Sequence, residues 1–370
     1  MVKKISIIGR GTVGCLAALK FSNLGYDIDW YHDPNTPPLS VGEGTDLALP
    51  NFLKEELNLN YDLAKELDIH YKQGVEKIGW SKTPFTHWFG FGSMAMHFNA
   101  SKLQNYIINK ICNKVNIIEK KISPQNLNSY TINCSGTSTQ EKEHNQTPIP
   151  VNTAIIAQCS WDKPKFDKTL CIAKSYGWVF LIPLKNRCSV GYLYNKDYCN
   201  PTDVSYELSD VLVEYNLTSQ EYNKLNFNNF YRKENFYQNI SYTGNASFFL
   251  EPLEATSLNT SIGHLGQIHR LLKGESTIKN ENERYINFLE ETIDIIMLHY
   301  LIDPPINNSF WEMANLRAYK WFNKRYNEYP KINLITTNSD LYYSTWEGKS
   351  FQQNLTGLNL YEKLNQIKNG

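Results

Sequence analysis

No run in this 370-residue sequence reaches the roughly 18 consecutive apolar residues of a spanning helix, so no membrane role is expected. Neither charge sign is in excess, with Lys+Arg and Asp+Glu at 37 each. A general nucleic-acid or anionic-membrane binder would carry a basic surplus, so neither partner is expected. The seven cysteines, Cys15, Cys112, Cys134, Cys159, Cys171, Cys188 and Cys199, are scattered and contain no Cys-x-x-Cys step. That argues against a disulfide framework and against zinc, and no metal is expected. The start, MVKKISIIGRGTVG, has no room for a signal-peptide apolar region before its glycines. A reducing, cytoplasmic setting is the expectation. No repeat of about 20–50 residues and no Gly-, Ser- or Pro-rich linker divides the chain.

What is present is length enough for a sizeable core, in one domain or two. Aromatics make up 13% of residues. That suits a ring-lined cavity and equally suits ordinary strands. KKISIIG (3–9) reads as a short buried strand, GCLAALKFSNLG as a helix stopped by Gly25, and YDIDWYHD as a second strand. Residues 51–70 and the stretch NASKLQNYIINKICNK read as helical, and residues 137–147 as a polar surface loop. From 151 to 194 strands dominate, residues 280–301 form a long amphipathic helix, and the last 70 residues look short-helical. The expected division is a module over 1–300 and a helical region over 301–370.

Between the first strand and helix lies Gly9-x-Gly11-x-x-Gly14. The first glycine permits the tight turn. The second lets backbone approach a pyrophosphate, and the third lets helix and strand pack closely, with the helix N-terminus favouring the anion. Thr12 belongs to the same cofactor-binding turn. An acid about 20 residues on is expected to bind a ribose hydroxyl. The second strand ends in His32 and Asp33, and Asp33 is the preferred candidate. NAD and FAD share this fingerprint.

Further blocks follow in order: SVGEGTDLALP (40–50), YKQGVEKIGW (71–80), THWFGFG (86–92), INCSG (132–136), SYGWVFLIPLKNRCSVGYLY (175–194) and FFLEPLEATSL (248–258). Together they resemble the flavin-dependent halogenases, the family of the tryptophan halogenases, over about residues 5 to 311. A late His-Tyr pair is matched by His299 and Tyr300. The resemblance implies an α/β fold: an FAD-binding Rossmann-type module, p-hydroxybenzoate-hydroxylase-like, with an additional β-sheet and a helical C-terminal substrate region.

The resemblance also implies a chemistry. Reduced FAD, O2 and a halide ion yield hypohalous acid, which crosses a dry tunnel to a lysine beside an electron-rich aromatic substrate of indole or phenol type. A separate NAD(P)H-dependent flavin reductase supplies the diffusible FADH2. Lys72 matches the family's lysine, because Trp80 follows at the family's spacing; Lys77, the neighbour, reads as a solvated surface residue. Glu254 matches the carboxylate that stabilises the cationic ring intermediate and helps remove its proton, a role of charge stabilisation and general base. Glu251 reads as structural. Gly42, Glu43, Gly44 and Thr45 match the strap against the flavin, Leu258 a contact to its ring, and Asn245 a position near the ribityl chain. Thr256 and Ser257 match the halide-holding amides. His87 and Phe89 match the substrate pocket. Trp178, Phe180, Ile182 and Pro183 match the wall between flavin and substrate, and can equally be read as hairpin core.

Several residues depart from the family pattern. Asn133 and Asn245 replace aspartates, Phe180 a tryptophan, Ala255 a serine and Ser257 a glycine. The loss of glycine at 257 suggests a looser halide site and a preference for bromide or iodide over chloride. The C-terminal clamp for free tryptophan is not found, so a larger or carrier-bound arene is the better expectation. A flavin monooxygenase and a catalytically degenerate FAD-binding protein are the alternatives. The substrate, and whether the chain forms a homo-oligomer, stay open.

Overall fold

The computed structural model describes residues 4–36, 44–90, 92–136, 141–219, 221–303 and 306–369. It divides into two compact units. The first comprises Met1–Ile69, Phe98–Gln146 and Phe230–Leu289, and the second His70–His97, Thr147–Asn229 and Glu290–Gly370. The division expected at residue 300 lies inside the second unit.

The first unit is built on a mostly parallel sheet. Among the described residues its strands run in the order Phe236–Tyr237, Ile240–Tyr242, Tyr130–Asn133, Lys4–Ile8, Asp27–His32, Asn116–Glu119. The central strand is apolar on both faces, with Ile5, Ile7 and Ile8 all buried, as a strand covered on both sides requires. The helix Thr12–Asn23 follows and buries Cys15 through Leu19 and Phe21. It ends at Gly25, whose φ of +81° suits the expected stop. The helix Ala100–Ile111 is capped by Asn99, whose side chain accepts from the Lys102 amide at 3.1 Å. Its apolar positions Leu103, Ile107, Ile108 and Ile111 follow helical spacing.

Part of the polar stretch expected as a loop is structured. His144–Gln146 pairs antiparallel with Phe230–Arg232, and the His144 ring stacks on Phe230 with centroids 4.0 Å apart. Polar composition concealed this short strand.

The second unit holds an open sheet in the order Tyr222–Asn226, Thr153–Ser160, Arg187–Tyr194, Gly177–Pro183, Thr169–Lys174, Gly74–Ile78, Phe85–Trp88. One face carries Ala157, Leu170, Ile172, Val179, Leu181, Val190 and Tyr192. It packs on Val204, Leu208, Val211 and Leu212 of the helix Pro201–Glu214. Asn200 and Pro201 open that helix as cap and first residue.

The C-terminal part is less uniformly short-helical than expected. Ser309–Glu328 is a 20-residue helix capped by Asn308, and a small hairpin, Tyr342–Tyr343 with Trp346–Glu347, follows it. Buried Asp294 ties these pieces together. It accepts from Arg325 Nε at 3.0 Å and Nη2 at 2.8 Å, from Trp321 Nε1 at 2.7 Å, and from the Tyr343 hydroxyl. Among the described residues no helix is long and apolar enough to cross a membrane.

Candidate functional site

The glycine turn of the first unit is explained by its surroundings. Gly9 has φ +107°, and a Cβ there would lie 2.3 Å from the Cys134 carbonyl oxygen. A Cβ on Gly14 would lie 2.2 Å from the Gly9 carbonyl oxygen. Nothing lies within 4 Å of a Cβ built on Gly11, so the backbone at the helix start faces open space. A dinucleotide pyrophosphate fits that space against the helix N-terminus. Thr12 Oγ1 accepts from Gln104 Nε2 at 3.0 Å.

Other expected cofactor contacts gather in the same unit. Gly244, at φ +62°, packs against Val13 of the turn, which sets exposed Asn245 beside it. Gly42 and Glu43 lie outside the described residues. Gly44 is half-buried, and Thr45 is buried and donates to the Asp46 carbonyl at 2.7 Å. Asp46 in turn accepts from Asn259 Nδ2 at 2.6 Å, tying the strap to the helix Ser257–Lys273. Asn133 accepts from the Ser135 amide at 3.0 Å, and Gly136 takes φ +95°.

Glu251 and Glu254 are buried just before that helix. Between Glu254 and Thr256 the chain turns through Ala255 at φ +52°, its amide donating to the Pro252 carbonyl at 2.9 Å. Thr256 is the N-cap residue and makes no side-chain cap bond, while Ser257 and Leu258 are half-buried in the first turn.

Asp33 is less available than its spacing suggests. Its carboxylate accepts from the Asn35 amide at 2.9 Å and the Thr36 hydroxyl at 3.1 Å, and pairs with Lys121 at 3.5 Å. These bonds hold its pKa below the usual carboxylate range, the Asn35 amide foremost. It still borders a cleft of about 330 Å³ lined by Arg10, His32, Gln104, Asn105, Ile108 and Glu119 among others. Neither Arg10 nor Glu119 was singled out from sequence; the strand register sets Glu119 beside His32, and Arg10 Nη1 lies 3.5 Å from His32 Nε2.

In the second unit the strand Gly74–Ile78 alternates, so Val75 and Lys77 point to one face and Glu76 and Ile78 to the other. The pairing Lys77–Cys171–Phe180–Gly191 forms one cross-strand row. Lys77 therefore shares its face with Trp178, Phe180 and Ile182, opposite the Val179 and Leu181 core. This corrects two expectations. Lys77 is wholly buried, because a strand paired on both edges carries it inward, and is not a solvated surface residue. Pro183 falls on the alternate face from Trp178, Phe180 and Ile182, because side chains along a strand alternate.

The two lysines have different partners. Lys77 Nζ is 2.8 Å from His299 Nε2. The His299 ring lies edge-on to Trp80, with centroids 5.5 Å apart, and 6.1 Å from Trp346. Lys72, also buried, donates to Thr169 Oγ1 at 2.9 Å, and that hydroxyl is 2.8 Å from His97 Nε2. The Lys72 ammonium lies 5.8 Å from the Phe89 ring centroid. Burial, then the Lys72 charge, then His70 hold His97 well below the usual histidine range, so the ring is neutral. His87 is buried, 5.2 Å from the Trp346 ring and 5.6 Å from Phe89. Thr169, His97 and Trp346 were missed from sequence; each lies far along the chain from the lysine or histidine it meets.

The parallel sheet, the glycine turn and the cleft define a dinucleotide-binding α/β protein. A family model described as tryptophan halogenase matches residues 4–149 and 128–365. The chain belongs to the tryptophan halogenase family. Tryptophan 6-halogenase SttH of Streptomyces toxytricini is 26% identical over 187 residues, 47% of this chain and 34% of that protein. Tryptophan 7-halogenase RebH of Lentzea aerocolonigenes is 23% identical over 188 residues, 48% of this chain and 35% of the relative. The matched stretch thus spans about a third of these relatives' length. The crystal structure of a tryptophan halogenase from Shewanella frigidimarina has a TM-score of 0.81 at 18% identity, covering 100% of this chain and 93% of that one. Its fold is this fold.

Proposed function

We propose that this protein halogenates an electron-rich arene, of indole or phenol type, using reduced FAD, O2 and a halide. A separate NAD(P)H-dependent reductase delivers the flavin. Bound reduced FAD supplies, with O2, the two-electron oxidation that turns halide into hypohalous acid. The observation that carries the reading is a buried lysine, Lys77, on the sheet face of Trp178, Phe180 and Ile182, its Nζ 2.8 Å from His299 Nε2.

An amine on a dry aromatic face suits hypohalous acid. Its lone pair forms the N–halogen bond as the O–halogen bond breaks, and the departing hydroxide takes the amine proton as water. Ring attack then forms the C–halogen bond and breaks N–halogen, the nitrogen keeping the electron pair; a carboxylate takes the ring proton and returns it to the nitrogen, restoring the amine. Glu254, which the sequence resemblance offers for that carboxylate, is buried at 7% exposure. Lys72 was the sequence choice for the amine. It donates to Thr169 Oγ1; this proposal gives the carrier role to Lys77, on the face of Trp178, Phe180 and Ile182.

Thr256 and Ser257 supply leading amides of a helix without a side-chain cap, which suits a halide. Ser257 in place of glycine supports a preference for bromide or iodide, which lose less hydration than chloride. His87 and Phe89 border the arene.

The test is incubation with a flavin reductase, NADH, and equimolar chloride, bromide and iodide, against a panel of indoles and phenols, read by mass spectrometry. Halogenated product, mainly brominated or iodinated, is expected. Oxygenated product without halogen overturns the reaction class, and mainly chlorinated product overturns the halide preference.

A further inference from the structure

We propose that the adenosine end of the dinucleotide is held by His32 and Glu119, while Asp33, the acid at the expected spacing, serves its own loop. The inference rests on the reading that this unit binds FAD. A ribose hydroxyl in such a fold needs an acceptor beyond the end of the second strand. Asp33 offers little, because the Asn35 amide, the Thr36 hydroxyl and Lys121 already engage both of its oxygens.

The residue before it lines the same cleft without those loop bonds. His32 is 7% exposed, and its Nε2 lies 3.5 Å from Arg10 Nη1, between the first two glycines, and 3.9 Å from Glu119 Oε1. Glu119 ends the neighbouring strand in register with His32, and its side chain is 70% exposed. All three line the same cleft, with Asn105 and Ile108 of the helix Ala100–Ile111 lining it as well. A neutral imidazole beside an accessible carboxylate provides the acceptor that a ribose diol requires, one strand over from its usual source. Arg10 balances the Glu119 charge across His32.

The experiment titrates FAD into the full-length chain, following quenching of protein fluorescence, with ADP as competitor for the adenosine half alone. His32→Ala and Glu119→Gln are expected to weaken FAD and ADP by the same factor, about tenfold each, the scale of one hydrogen bond lost. Asp33→Asn is expected to stay within about twofold. Thermal unfolding of each variant, and His32→Asn as a conservative partner retaining part of the affinity, separate binding from folding. Equal affinity in wild type and His32→Ala, or a loss confined to Asp33→Asn, overturns the assignment. A wild type that binds neither FAD nor ADP overturns the flavin reading itself.

Discussion

Lys77 Nζ lies 2.8 Å from His299 Nε2, and Nδ1 of the same ring lies 3.0 Å from the Ile295 carbonyl. A carbonyl only accepts, so Nδ1 carries the ring proton and Nε2 presents its lone pair to the amine. The helix Ile278–Tyr300 thereby fixes the tautomer that receives Lys77. Trp80, whose Nε1 donates to the Cys171 carbonyl at 3.0 Å, anchors the ring beside it.

Lys77→Ala is expected to cut halogenated product by at least about 10², the scale for losing one group that stabilises the reacting centre. FAD binding and flavin oxidation should remain, since those steps need no amine. Lys72→Ala should cost less product. His299→Gln, which retains a side-chain acceptor, should lower turnover less than His299→Ala. Product yield by mass spectrometry beside oxygen uptake checks this. Near-native yield from Lys77→Ala, with loss confined to Lys72→Ala, restores Lys72 as carrier.

Gly191 exists for Phe180. A Cβ at 191 would fall 2.3 Å from the Phe180 ring and 2.8 Å from Ile156 Cδ1. Gly191→Ala is expected to destabilise by about 1–3 kcal/mol through overpacking. Phe180→Leu in the same chain should recover part of that loss, because the two are cross-strand partners and couple. Urea unfolding of the single and double variants gives the coupling; strict additivity would remove the steric explanation.

Much of this was legible beforehand, and for identifiable reasons. The glycine turn and first helix announce themselves because spacing alone encodes them. Buried runs such as GWVFLIP are visible as strands, yet nothing local reveals that Phe180 stands in row with Lys77, which lies far away in the chain. Lys77 looked like surface because lysine composition says so. Strand alternation from Val75 would have placed it inward, had the strand's pairing on both edges been known. Asp33 fitted its spacing rule, but the rule cannot see that Asn35 and Thr36 consume its oxygens.

Ala255 holds φ +52°, a left-handed conformation costing an L-residue roughly 1–2 kcal/mol. The strain lies between Glu254 and Thr256, where the proposed carboxylate meets the proposed halide amides. Ala255→Gly removes the Cβ conflict and adds unfolded-chain freedom, so a net gain of about 0–1 kcal/mol is expected. Ala255→Val, branched at Cβ, should destabilise. Denaturant midpoints decide; a destabilised glycine variant would mean the surroundings favour the methyl group more than its backbone conformation disfavours it.

His264 gives a pH dependence with a definite sign. It is buried in the helix Ser257–Lys273 between the Phe248 ring, 5.7 Å away, and the Tyr285 ring, 5.1 Å away. Its Nδ1 has no hydrogen-bond partner among the described residues. Burial alone lowers its pKa to about 3, against roughly 6.5 in an unfolded chain. The folded protein therefore keeps the ring neutral where the unfolded chain takes up a proton. Its stabilising contribution is complete above about pH 6.5 and declines as pH falls, by up to about 1.4 kcal/mol per pH unit. His97, depressed in the same direction, adds to the slope. His264→Phe fills the space between two rings and removes one titrating site. Its stability relative to wild type should rise as pH falls from 6.5 to 5, a window above most carboxylate titration. Urea unfolding at pH 7.5, 6.0, 5.5 and 5.0 reads the difference. Parallel curves for wild type and variant would mean that the ring gains a proton in the folded protein as readily as in the unfolded chain.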